Sequence, residues 1–172
     1  MPKIKKIFFV VFGASAIGML TILSASAATP SSIQVKTCQD LQNIQNNLSG
    51  NYVLVNDIDC ATFGGVNGFK PIGSHEKPFT GSLTSGVYKI KNLTIYQPSS
   101  LINKPTASLF YAIKGANIHD LVLSNINIQG AGHVALIYET LGQSTISNIV
   151  VDGTVGAFNG DVSSGEIDGF IG

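Results

Sequence analysis

Histidine followed by glutamate is where hydrolytic metal chemistry would begin, and His75-Glu76 is the pair in this chain. A helical zinc site needs a second histidine three residues after the glutamate, so that both imidazoles face one ion. Phe79 holds that place, and Pro78 opposes a helix, so the pair reads as a polar turn. His119 and His133 have no evident partner in sequence and read as surface residues. Asp57 and Asp59 stand two apart, so a strand points them the same way. With Asn56 they are weak calcium candidates, calcium preferring clustered oxygens. The glycine-aspartate nonapeptide of RTX proteins is absent, and the favoured role is capping of turn backbone.

Asp152, Asp161, Glu166 and Asp168 are scattered near the end of the chain. A glycosidase pair is decided by separation in space, so a polysaccharide-degrading enzyme stays as an alternative. The sequence contains no arginine to hold a uronate carboxylate. No catalytic residue, cofactor or firm metal ligand is therefore expected.

The elements that would carry these residues repeat. Ile90-Lys91-Asn92-Leu93-Thr94-Ile95 returns as Ile118-His119-Asp120-Leu121-Val122-Leu123 and as Ile146-Ser147-Asn148-Ile149-Val150-Val151, each copy 28 positions after the last. An aliphatic opens the phrase, Asn or Asp takes its third place, and aliphatics take the fourth and sixth. A repeat of this period rich in β-branched residues is the mark of a solenoid. Stacked at the spacing of parallel strands, the copies predict an apolar ladder of Ile90, Ile118 and Ile146, of Leu93, Leu121 and Ile149, and of Ile95, Leu123 and Val151. Asn92, Asp120 and Asn148 would stack at a bend. Leu109 to Ile113 and Leu136 to Leu141 supply the other sides.

Residues 1–27 read as a Sec signal peptide: Lys3, Lys5 and Lys6, an uncharged run from Ile7 to Leu23, then Ala25-Ser26-Ala27. An uncleaved anchor is the alternative reading; after cleavage no stable membrane span is expected. The remaining chain holds 7 lysines against 10 acidic residues. Nucleic-acid binding, which depends on Lys and Arg neutralising phosphate, is excluded as an expectation. Cys38 and Cys60, an even pair in an exported chain, suggest a disulfide, with free thiols and a metal site as lesser alternatives. Within the lead and cap, residues 28–50, Thr37 is the expected N-cap of a helix over 38–48 bearing Leu41, Ile44 and Leu48, with Gly50 at its C-cap. Residues 51–172 would be the repeating turns, with Phe69–Ile72 and Phe79–Leu83 as short strands. The next phrase would open near position 174, so the β-structure is expected to continue in missing C-terminal repeats.

The run from Tyr52 to Asp59, then Phe69-Lys70-Pro71-Ile72-Gly73, Lys77-Pro78-Phe79-Thr80-Gly81-Ser82-Leu83 and Tyr88 to Ile95, resembles the N-terminal part of bacterial surface proteins with GLUG-motif repeats. Ser108-Leu109-Phe110 and Gly169-Phe170-Ile171-Gly172 look like the start of GLUG units. Leu136-Ile137 lacks the flanking glycines, and Cys60 replaces a usual aliphatic. The resemblance implies a right-handed parallel β-helix in secreted or surface-exposed proteins. These include adhesins, haemagglutinin-like proteins and regions N-terminal to immunoglobulin-A-cleaving metallopeptidases. It implies no catalytic residues.

The expected fold is thus all-β, a right-handed parallel β-helix with an N-terminal capping helix. A leucine-rich-repeat solenoid is the alternative, weakened because Pro98, Ile126 and Thr154 stand where its Asn or Cys belongs. The expected function is a secreted or cell-surface binding and adhesion scaffold without catalysis, its partner a host protein or glycan. In a Gram-negative bacterium the place would be the periplasm or outer surface. The further alternative is an N-terminal scaffold of a larger surface protease or adhesin.

Overall fold

A computed structural model describes residues 31–64, 68–98 and 106–157. The segments expected to be the signal peptide and the carboxylates Asp161, Glu166 and Asp168 lie outside the described residues. Among the described residues, ten strands and one short α-helix run in the order β1 (Ile33–Val35), α1 (Cys38–Asn43), β2 (Asn51–Leu54), β3 (Ile58–Asp59), β4 (Ser82–Thr84), β5 (Lys89–Lys91), β6 (Thr94–Gln97), β7 (Ala107–Ile113), β8 (Asn117–Gly130), β9 (Val134–Thr140) and β10 (Thr145–Ala157). The protein is all-β, and every pairing between these strands is parallel.

β8 is the axis of the larger sheet. One edge of it receives β4, β5 and β6 in succession, through Leu83 opposite Ile118, Ile90 opposite Leu123 and Ile95 opposite Ile128. Its other edge receives β10 along nearly its whole length, with Ile146 opposite Ile118 and Ile149 opposite Leu121. A second sheet pairs β7 with β9, and Ile72 and Phe79 bridge to Phe110 and Ile113 on the far side of β7.

A flat strand buries every second residue. In β8 the buried aliphatics are Ile118, Leu121, Leu123, Ile126 and Ile128, at steps of three, two, three and two. The steps of three span Asp120 and Asn125, whose φ values are 51° and 53°. A residue in this left-handed region turns the chain and resets the alternation, so the aliphatics after each bend face inward again. Asn and Asp tolerate that region better than other side-chain-bearing residues. Asn92, between β5 and β6, and Asn148, in β10, do the same at φ 56° and 52°.

The core formed this way is continuous from α1 to β8: Leu41, Ile44, Leu83, Ile90, Leu93, Ile95, Leu121 and Ile128 are all fully buried. Phe79 lies between Tyr52 and Phe110, at ring distances of 6.4 and 5.0 Å. α1 is started by a capping box: Asp40 N donates to Thr37 Oγ1, while Asp40 Oδ2 accepts from Thr37 N. The Cys38–Cys60 disulfide ties it to the residue after β3, with Cα atoms 5.3 Å apart.

The register corrects the expected ladder. Asn92 does not stack on Asp120. Its side chain donates to Asp59 Oδ1 at 2.8 Å and accepts from Asn125 Nδ2 at 2.6 Å, each partner 33 positions away. Only Asp120 and Asn148, 28 apart, stack as the period predicts. The cause is that β4 already occupies the stretch of β8 around Ile118, so β5 must pair one bend later. There Leu123-Ser124-Asn125-Ile126-Asn127-Ile128 is a further copy of the phrase, overlapping the second.

Other expectations are also corrected. The helix ends sooner, continuing only as a tight 3-10 turn over Ile44–Asn46 before Asn47 leaves helical geometry at φ −146°. Gly50 is not its cap; a Cβ there would meet the Tyr52 ring at 2.8 Å. The lead contains strand β1, paired with β2. Phe69–Ile72 and Phe79–Thr80 make isolated bridges rather than strands, and β4 starts only at Ser82. The return segments β7 and β9 are strands paired in parallel.

Two outcomes follow. The bridge closes a loop of about 23 residues, so Cys38→Ser with Cys60→Ser should lower unfolding free energy by roughly 3 kcal/mol in denaturant titration. A variant as stable as the parent would contradict that role. Asn125→Val should cost about 1–3 kcal/mol through left-handed strain, with Asn125→Gly costing less.

Candidate interaction surface

The outer side of the larger sheet is lined by the polar atoms that the bends expose. Asp57 Oδ1 accepts from Lys89 N at 3.0 Å, and its Oδ2 lies 3.2 Å from Lys91 Nζ. Asp59 Oδ1 accepts from Ala61 N and Asn92 Nδ2. These bonds hold both carboxyls below the usual aspartate range, led by the Lys89 amide for Asp57 and the Asn92 amide for Asp59. Of the two weak calcium candidates, Asp57 therefore caps backbone and meets an ammonium group, while Asp59 accepts from a backbone amide and a side-chain amide. Among the described residues no cluster of three or more His, Cys, Asp or Glu is placed to hold a metal.

His119 Nδ1 lies 2.8 Å from Asp120 Oδ2, and Asp120 Oδ1 accepts from Asn148 Nδ2 at 2.9 Å. The Asp120 carboxyl is lowered first by His119 and then by Asn148. Its left-handed backbone is held by Ser85, whose hydroxyl and N both donate to the Asp120 carbonyl, while Asn148 holds the side chain. Asp152 is exposed on β10, apart from these pairs.

The second sheet carries a different group. The Ser74–Lys77 turn projects between the bridges at Ile72 and Phe79. From it His75 crosses β7 to reach Glu139 of β9, with Nδ1 at 3.0 and 2.9 Å from the two carboxylate oxygens. Ala112, the β7 residue in register with Glu139, is small and buried. Beside it Tyr111 meets Tyr138 edge-on at 5.2 Å, and Tyr138 stacks with His133 at 5.0 Å. Tyr138 is 37% exposed, and His133 is exposed as well.

His75 with Glu139 and the neighbouring Ser74 contains the residue types of a hydrolytic triad, but not its geometry. The Ser74 hydroxyl donates to Glu76 Oε2 at 3.1 Å and accepts from Lys77 N at 3.1 Å. Glu76, the other half of the sequence-predicted pair, thus stabilises its own turn. The arrangement is a cluster of aromatic rings beside the His75–Glu139 ion pair.

The aromatic group escaped the sequence reading. Its signal was present in Ser108-Leu109-Phe110-Tyr111 and Ala135-Leu136-Ile137-Tyr138, the same pattern 27 positions apart. The pairing of Phe110 with Ile137 sets the two tyrosines side by side.

Residues 35–153, more than half of the chain, match the family described as the M26 IgA1-specific metallo-endopeptidase N-terminal region. Halomucin of Haloquadratum walsbyi (strain DSM 16790 / HBSQ001) is 29% identical over 149 residues, covering 79% of this chain. The chain spans about 2% of the length of that curated relative. No solved structure matches the chain.

The Glu139 carboxylate, through its hydrogen bond and then its charge, raises the His75 pKa above the usual 6.5. His75 then contributes stability that is full below the unfolded value near 6.5 and is lost as pH rises through the folded pKa. An NMR titration of the His75 ring should show this elevated midpoint, falling back towards 6.5 in Glu139→Gln. The same midpoint in both proteins would contradict the pairing.

Proposed function

The chain belongs to the family of M26 IgA1-specific metallo-endopeptidase N-terminal regions, and from that premise we propose that it is a non-catalytic binding scaffold of a secreted or cell-surface protein. Its described β-structure is one stretch of a right-handed parallel β-helix, of the kind that GLUG-repeat proteins carry. The repeats continue in a longer product, and a host protein or glycan is the partner.

The observation that carries the reading is the stacking of layers on β8. Three short strands and one long one align to it in parallel, with aliphatics over aliphatics inside and Asn or Asp over Asn or Asp at the bends. Such stacking extends by adding layers, and it builds long lateral faces without requiring a reactive centre. The family description supports placement at the N-terminal side of a larger protein. The match to a small share of a much longer protein points the same way. Export is supported by the signal-like first 27 residues and by the disulfide.

The test is surface labelling of intact cells of the native host, followed by binding of the released full-length product to immobilised matrix proteins and a glycan panel. Surface exposure with saturable binding, and no cleavage of acidic polysaccharide or of immunoglobulin A by residues 28–172, is the expected result. Release of reducing ends by those residues would overturn the non-catalytic reading. Retention of the product in the cytoplasm would overturn export.

A further inference from the structure

We propose that Asn47 is an N-glycosylation site of the exported protein, an inference that rests on the export reading above. Two triplets in the chain fit the acceptor pattern Asn-x-Ser/Thr: Asn47-Leu48-Ser49 and Asn92-Leu93-Thr94. The fold treats them in opposite ways.

Asn92 is committed. Its left-handed backbone forms the bend between β5 and β6, and Nδ2 donates to Asp59 Oδ1 at 2.8 Å. Its Oδ1 accepts from Asn125. Attaching a sugar to that nitrogen would cut through the ladder joining three layers.

Asn47 is exposed on the polar turn that leads from the capping helix to β2. Its backbone is held firmly: its N donates to Ile44 O, and its carbonyl accepts from Gly50 N and from the Tyr52 hydroxyl at 2.6 Å. The Ser49 hydroxyl donates to Asn47 Oδ1 at 3.2 Å, bringing the acceptor amide and the hydroxyl of the triplet together. The absence of a side chain at Gly50 lets the Asn47 amide lie as it does, since a Cβ there would fall 2.9 Å from Nδ2.

In the transfer, Asn47 Nδ2 bonds to the anomeric carbon of a polyprenyl-phosphate-linked or pyrophosphate-linked oligosaccharide. The bond from that carbon to the phosphate oxygen breaks, and the lipid phosphate leaves with the electron pair. One of the two amide protons passes to a base of the transferring enzyme. No oxidation or reduction is involved.

The experiment is to express the full chain in its native host, recover it from the surface and medium, and weigh its tryptic peptides. The peptide 37–89 should carry at least one sugar, trypsin sparing Lys70 and Lys77 because a proline follows each, while the peptide beginning at Asn92 should be bare. Asn47→Gln and Ser49→Ala should each abolish the increment, and Thr94→Ala should leave it. A bare 37–89 peptide from exported protein, or sugar on Asn92 instead, overturns the assignment. If the chain stays in the cytoplasm, export itself fails. The purified chain is then incubated with host membranes holding the lipid-linked donor, and modification at Asn47 sustains the site while its absence overturns it.

Discussion

A strand that bends twice and still buries the same side, as β8 does, has to break its alternation at each bend. Asp120 and Asn125 do this in β8 by taking left-handed backbone conformations. Without them, Leu121 and Leu123 could not both follow Ile118 into the core, nor could Ile126 and Ile128 follow in turn. The left-handed residues would cost more if they stood alone. Asn92 and Asn125 share an amide hydrogen bond, and Asp120 and Asn148 share another, so each bend is held by the bend beside it. Packing inside and polar bonding outside thus depend on one local choice repeated through the layers.

The N-terminal end is secured by different means. α1 is only six residues long, too short to be stable from propensity alone. It is held by its capping box, by the burial of Leu41 and Ile44, and by the disulfide to Cys60. Gln42 adds a two-way bond to Lys70, its Nε2 donating to Lys70 O and its Oε1 accepting from Lys70 N. These contacts cover the first layers, where β1 is a strand of three residues at the edge of the sheet. At the other side β10 pairs with β8, and Ile146, Ile149 and Val151 are only half-buried.

Much of this was legible in the sequence, and the rest was hidden for definable reasons. The phrase period, the bend at its third residue and the pairing of Cys38 with Cys60 could be read from residue types and spacing. The register could not. Asp120 and Asn125 lie five apart, so two copies of the phrase overlap in one strand, and a search for equal periods finds only the first. Ile33–Val35 has a single buried residue and reads as polar lead, although pairing makes it a strand. The contact from His75 to Glu139 spans 64 positions and depends on a turn length that no local pattern specifies. Asp57 and Asp59 read as caps of turn backbone with calcium as the weaker alternative, and their actual partners, Lys89, Lys91 and Asn92, lie more than 30 positions away.

The alignment of β5 on β8 differs from the one that the plain 28-residue period predicts. Nuclear Overhauser contacts between backbone protons of residues 90–92 and their neighbours in β8 would decide it. Contacts to residues 123–125, including Ser124 to the Asn92 amide that donates to its carbonyl at 3.0 Å, are the predicted result. Contacts of residues 90–92 to 118–120 instead would contradict the stacked bends on which the fold and its proposed role both rest.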